Sequence, residues 1–78
     1  MSVRKTIREW RAFRKLTKTK IASELRIHVS TYTRMEDRPS SVSMEDAVKL
    51  SEVFQCEVGN IIFFEENPNF KLELLTTV

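Results

Sequence analysis

Val29, Ser30, Thr33 and Arg34 bring together a branched alkyl group, two hydroxyls and a guanidinium at positions that a helix would gather on one side. Ser30 groups with Thr33 and Arg34, and Val29 joins Thr33. Tyr32 and Met35 fall on the opposite side, where Ile27 from the preceding turn can also pack. Short polar side chains and an arginine make a poor core face but a suitable reading face. The major groove of double-stranded DNA accepts an α-helix and displays base-edge donors, acceptors and thymine methyls. A partner protein is the main rival occupant of the same surface.

The other reactive side chains do not assemble a catalytic set. His28 and Cys56 are the only histidine and the only cysteine, and they are far apart in the chain. Together they make neither a metal site nor an activated nucleophile. Glu65-Glu66 reads as a solvated pair, because no pocket-forming sequence surrounds it. The expectation is a protein that is not an enzyme and that uses no cofactor and no metal. A single cysteine allows no intrachain disulfide, which fits a reducing compartment. Arg8, Glu9, Arg11, Arg14 and Lys15 interrupt any apolar run near the start, so neither a signal peptide nor a membrane span is expected. A cytoplasmic protein with no membrane partner is the corresponding expectation.

At 78 residues the chain supports one domain with one small core, and its 41% hydrophobic and 31% charged residues are ordinary globular values. The net charge of +2 conceals a split. Residues 1–38 hold 11 Lys and Arg against four acids, a net +7, whereas residues 39–78 hold two against seven, a net −5. A basic first half suited to a polyanion and an acidic second half that faces elsewhere follow from that distribution.

The elements that must position the reading face are legible as helical periodicities. Val3, Ile7, Trp10, Phe13 and Leu16 predict a first amphipathic helix over residues 4–15, with its bases outward. Thr17 is placed to cap a second helix whose apolar face is Ile21, Ala22 and Leu25, with no glutamate to complete a capping box. A third helix follows Arg26-Ile27-His28, although Val29, Thr31 and Thr33 are poor helix formers and tertiary packing must hold it. Arg38-Pro39-Ser40-Ser41-Val42 breaks the pattern as a loop. Ser43 then caps a fourth helix with the stripe Met44, Ala47, Val48, Leu50 and Phe54. Val58, Ile61, Ile62 and Phe63 predict a short fifth helix that ends before Asn67-Pro68. Phe70, Leu72 and Leu74 alternate with Lys71 and Glu73, a strand pattern that either pairs with a second subunit or folds back on the helices.

Glu36 lies four residues after Tyr32 and so approaches the packed side of the third helix. An unpaired carboxylate there would cost several kcal/mol, to order of magnitude. Arg11, next to the core candidate Trp10, can supply a bidentate partner that ties the first helix to the end of the third.

The run Leu16-Thr17-Lys18-Thr19-Lys20-Ile21-Ala22-Ser23-Glu24-Leu25, followed by Arg26 to Glu36, resembles the helix-turn-helix of the phage repressor and Cro type, the XRE family. Ile7-Arg8-Glu9-Trp10-Arg11 resembles that family's first helix, including the arginine that pairs with the glutamate ending the recognition helix. Ser43 to Leu50 and Phe54 to Ile62 resemble its fourth and fifth helices, so the likeness covers about residues 4–64. It implies an all-α, five-helix repressor-like domain over residues 1–66, with a C-terminal tail over 67–78 that is a candidate strand and dimerisation segment. It also implies base reading by Val29, Ser30, Thr33 and Arg34. Phosphate contacts fall on Thr17, Lys18, His28 and Arg38, and the structural ion pair on Arg11 and Glu36.

Three departures are visible. Arg26 occupies the turn position usually held by glycine, so it must bear a left-handed backbone at a cost of roughly 1 kcal/mol. His28 replaces a hydroxyl cap, and the base-reading set lacks the usual amides. The implied function is a sequence-specific transcriptional regulator, Cro-like or antitoxin-type, that binds an operator as a homodimer, with phosphates held by the second helix and the bases of the first. With no sensor domain expected, control falls to concentration, operator competition or a regulatory partner protein. The alternative is a protein-interaction module, an antirepressor or modulator, on the same scaffold.

Overall fold

The computed structural model describes residues 3–64. In chain order these form β1 (Lys5–Thr6), α1 (Ile7–Phe13), α2 (Lys18–Leu25), α3 (Val29–Asp37), a 3-10 turn (Pro39–Ser41), α4 (Met44–Phe54), a second 3-10 turn (Val58–Asn60) and β2 (Ile61–Ile62). The strand expected at Phe70 to Leu74, the Glu65-Glu66 pair and the helix stop at Asn67-Pro68 lie outside the described residues.

Two expectations are corrected. The first helix begins at Ile7, not residue 4, because Thr6 and Glu9 close a capping box. The Thr6 hydroxyl accepts from the Glu9 N–H at 3.1 Å, and Glu9 Oε1 accepts from the Thr6 N–H at 2.8 Å. Bonds to the Glu9 carboxyl from the Thr6 backbone N–H, which contributes most, and from the Thr6 side chain lower its pKa. The segment just before the box becomes β1, which pairs in parallel with β2 in the register Lys5 with Ile61 and Thr6 with Ile62. The five-helix count also falls: among the described residues there are four α-helices, and the expected fifth is a single 3-10 turn followed by β2. Ile61 and Ile62 are β-branched and suit a strand, where pairing buries Ile61 under α1.

Three helices end by the same device. Lys15, Arg26 and Gln55 follow α1, α2 and α4 in the left-handed region, with φ of 55°, 58° and 55°. Each makes the paired bonds of a Schellman motif: Leu16 N–H to Arg11 O and Lys15 N–H to Ala12 O, Ile27 N–H to Ala22 O and Arg26 N–H to Ser23 O, Cys56 N–H to Ser51 O and Gln55 N–H to Glu52 O. The apolar residue after each turn, Leu16, Ile27 or Cys56, folds back onto the core. Thr17 and Ser43 cap the starts of α2 and α4, accepting from the N–H groups of Lys20 and Asp46 at 3.0 and 3.1 Å.

The core joins Ile7 and Trp10 of α1, Ile21, Ala22 and Leu25 of α2, Tyr32 and Met35 of α3, Leu50 and Phe54 of α4, and Ile61. Trp10 stacks on Phe54 with centroids 6.3 Å apart and donates its indole N–H to Asn60 O at 2.9 Å. The apolar rows predicted from periodicity are wider than the faces that are buried. Val3 and Val48 are exposed, Phe13 is 56% exposed and Met44 73%. Met44 overhangs the core as the first residue of α4, and Val48 sits about 100° round the helix from Ala47. Phe13 meets the edge of Trp10 at 5.7 Å, with the Lys5 ammonium 4.7 Å from its ring centre.

Because each left-handed turn residue bears a Cβ that glycine lacks, relieving one should stabilise the fold. Gln55→Gly is expected to raise stability by up to about 1 kcal/mol, a rise of roughly 4 °C in melting temperature, less whatever the extra freedom of glycine returns to the unfolded chain. Thermal denaturation followed by circular dichroism measures it. A fall in the midpoint would contradict the strain assigned to this turn.

Candidate nucleic-acid interface

The sequence folds Glu36 inward, and its side chain has no solvent exposure. Glu36 Oε2 accepts from the Tyr32 hydroxyl and from Arg11 Nε, both at 2.6 Å, and Oε1 lies 3.5 Å from Arg8 Nε. The Arg11 contact is therefore single, not the bidentate pair expected. Its Nη1 turns instead to Leu16 O at 3.4 Å. Arg8 also reaches Asp37 Oδ1 at 3.3 Å. Every buried polar side-chain atom among the described residues has a partner. Tyr32 and Arg8 are members that the sequence reading did not find. The signal for Arg8 was available, since it stands one turn before Arg11 on the same helix face.

Burial raises the pKa of a carboxylate, but the bonds from Arg11, Tyr32 and Arg8 outweigh it and hold Glu36 below its ordinary value. Tyr32 moves the other way: burial, then its bond to the Glu36 carboxylate, pushes its pKa above the ordinary phenol value. Arg11 stays charged, its pKa raised chiefly by the bond to Glu36. Burial pushes up the Cys56 thiol, which disfavours a reactive thiolate. Among the described residues no three His, Cys, Asp or Glu side chains gather as a metal site, and no helix is long and apolar enough to cross a membrane.

This anchorage leaves the other side of α3 outward. Tyr32, Met35 and Glu36 are buried, whereas Ser30 and Arg34 are exposed, Val29 is 39% exposed and Thr33 is half-buried. The left-handed turn at Arg26 redirects the chain within three residues, so α3, which packs chiefly on α2, starts beside the end of α2. His28 is the exposed N-cap residue in extended conformation, and no described side chain caps α3. Its first N–H groups therefore remain available to an outside acceptor. Thr17 and the half-buried Lys18 stand at the far end of α2, about 12 Å of helix from this turn. The Thr17 oxygen already accepts from Lys20. Arg38 lies beyond α3, about 15 Å along the axis from His28, in a groove with Arg8, Pro39 and Phe64. Its carbonyl accepts from the Ser41 N–H and hydroxyl at 3.0 and 2.7 Å, while its side chain is exposed.

The bases of α1 are placed differently from expectation. Arg8 and Arg11 serve Glu36 and Asp37. Arg14, just past the helix, donates to Phe54 O at 2.7 Å and to Gln55 O at 3.2 Å, satisfying carbonyls at the C-terminus of α4. No local signal announces that pairing, because the partners are about 40 residues apart. The cations without a side-chain partner among the described residues are Arg4, Lys15, Lys18, Arg26, Arg34 and Arg38. Lys20 and Lys49 pair with Glu24 and Glu45.

A family model described as helix-turn-helix matches residues 7–60. No curated protein and no solved structure matches the chain.

Glu36 sets an acid limit on stability. Its carboxyl pKa is depressed in the folded state relative to an ordinary value near 4.5, so the unfolded chain binds the proton first. The stabilisation is present above about pH 4.5 and is lost as pH falls through the folded value. Urea denaturation at pH 7 and pH 3 should show Glu36→Gln costing roughly 3 kcal/mol at pH 7, with a smaller deficit at pH 3. Tyr32→Phe should cost about 1.5–3 kcal/mol at pH 7. An equal deficit for Glu36→Gln at both pH values would remove the carboxylate from this role.

Proposed function

The chain belongs to the XRE/Cro-type helix-turn-helix family and is a DNA-binding transcription regulator of that type, and from that premise we propose that it seats α3 in the major groove of a specific operator. Val29, Ser30, Thr33 and Arg34 read base edges. Thr17, Lys18, His28 and Arg38 hold phosphates on either side, with Arg26 and Lys15 adding charge near the duplex. The observation that carries the reading is the outer face of α3. It is exposed, begins at an uncapped N-terminus and presents an arginine with no described side-chain partner, on a helix whose inner side is locked to α1 through Glu36.

The protein acts by occupying its operator, as a Cro-like or antitoxin-type repressor. Two copies bind inverted half-sites as a homodimer, which sets the two reading helices about 34 Å apart. The apolar side chains exposed on α4, Met44 and Val48, and the tail over 67–78 are the candidate dimer surfaces, in keeping with the acidic balance of the second half. A regulatory partner protein would act by competing for one of these surfaces.

Binding to duplex DNA measured across a salt series distinguishes this reading from a protein-interaction module on the same scaffold. Affinity should fall on a log–log plot with a slope near −0.9 per phosphate neutralised, whereas an apolar protein interface is nearly salt-independent. Lys18→Ala should weaken all sequences alike and reduce the slope by about 1. Arg34→Ala should cost roughly 1–3 kcal/mol on the preferred site and relax specificity there. Equal losses on every sequence for both variants would overturn these roles, and specific capture of a protein with no duplex binding would favour the alternative.

A further inference from the structure

We infer that the operator half-site presents a thymine methyl to Val29 and a guanine to Arg34, an inference that rests on the DNA-reading role proposed above. The outer face of α3 carries no Asn or Gln. An amide carries a donor and an acceptor on two separate atoms spaced to meet the N7 and N6–H₂ edge of adenine, whereas a hydroxyl has both on one oxygen, so this face has no bidentate adenine reader. The hydroxyls of Ser30 and Thr33 bond to any base and discriminate little. Discrimination therefore falls to the other two residues.

Val29 has two methyls and no polar side-chain atom, and it stands exposed at the first position of α3. Set against the cytosine amino group or guanine O6, it would strip water from a polar edge and return no hydrogen bond. Against the thymine C5-methyl it buries apolar surface on both partners. Arg34 has only donors, which match the two acceptors of guanine, O6 and N7, and are mismatched to the amino groups of cytosine and adenine. Arg8, Arg11 and Arg14 are each held by acceptors within the fold, whereas the Arg34 guanidinium is exposed with no described side-chain partner, so among the described residues no ion pair must break for it to bind. Val29 and Arg34 are separated by about 7.5 Å along the helix and lie on opposite flanks of the reading face, with Ser30 between them. The two contacts consequently fall on different base pairs.

Selection from a random duplex pool identifies the preferred site. Binding is then measured with each thymine replaced in turn by uracil, which removes only the methyl, and each guanine by 7-deazaguanine, which removes only the N7 acceptor. Wild type, Val29→Ala and Arg34→Ala are compared, with circular dichroism to check that both variants fold. One uracil replacement per half-site should weaken wild type about fourfold and leave Val29→Ala within about twofold. One 7-deazaguanine replacement should weaken wild type roughly tenfold and leave Arg34→Ala unaffected. An enriched site whose modified bases cost the variants as much as wild type, or one led by adenine without these thymine and guanine dependences, overturns the pairing and leaves DNA reading intact. A pool that yields no enriched sequence overturns both.

Discussion

A carboxylate with no exposure to water has to be answered by donors, and in this small domain the answer for Glu36 organises α3. Arg11 reaches it from α1, and Tyr32 from one turn earlier on α3, each at 2.6 Å. Two distant segments are thereby held in one geometry, because moving either would strand a charge in a partly dry site. The same network accounts for how α3 stands upright despite three β-branched residues among its first five. Its own propensity is weak, and the buried Tyr32, Met35 and Glu36 fix which side faces in. The outward face is a consequence of that anchorage.

The turns complete the positioning. A chain of this size has little core to spare, and it ends three helices with left-handed residues followed by an apolar side chain tucked inward. All three left-handed positions hold residues other than glycine, while the single glycine, Gly59, lies where a Cβ would meet nothing within 4 Å. Local strain is thus accepted at Lys15, Arg26 and Gln55 in return for closed hydrogen bonds at helix ends. Arg26 matters most for the placement of α3, since its turn sets how α3 leaves α2.

Charge is deployed less simply than the half-to-half asymmetry suggests. Three arginines of the basic half are spent inside the fold, two on the acidic end of α3 and one on the last carbonyls of α4. The cations left without described side-chain partners lie on other segments: the N-terminal stretch, two of the three left-handed turns, the start of α2, the outer face of α3 and the residue after it. A field favourable to a polyanion remains, but its local sources differ from the rows of bases counted along α1.

Sequence alone determined what is encoded within a few residues. The hydroxyl caps at Thr17 and Ser43, the inward side of α3 and the need of Glu36 for a partner follow from spacing and side-chain chemistry, which act over one or two helical turns, while the left-handed backbone at Arg26 followed only from the family resemblance. Tertiary structure decided the rest. Whether 61–62 continues as helix or pairs as strand depended on β1, more than 50 residues earlier, whereas the start of α1 is set locally by the Thr6 and Glu9 capping box. Which apolar residues of a wide stripe are buried, Leu50 rather than Val48 or Trp10 rather than Phe13, depended on where neighbouring elements end. The partner of Arg14 depended on the C-terminus of α4 arriving beside it. Periodicity assigns a direction to a side chain, but only the packed fold supplies what that direction meets.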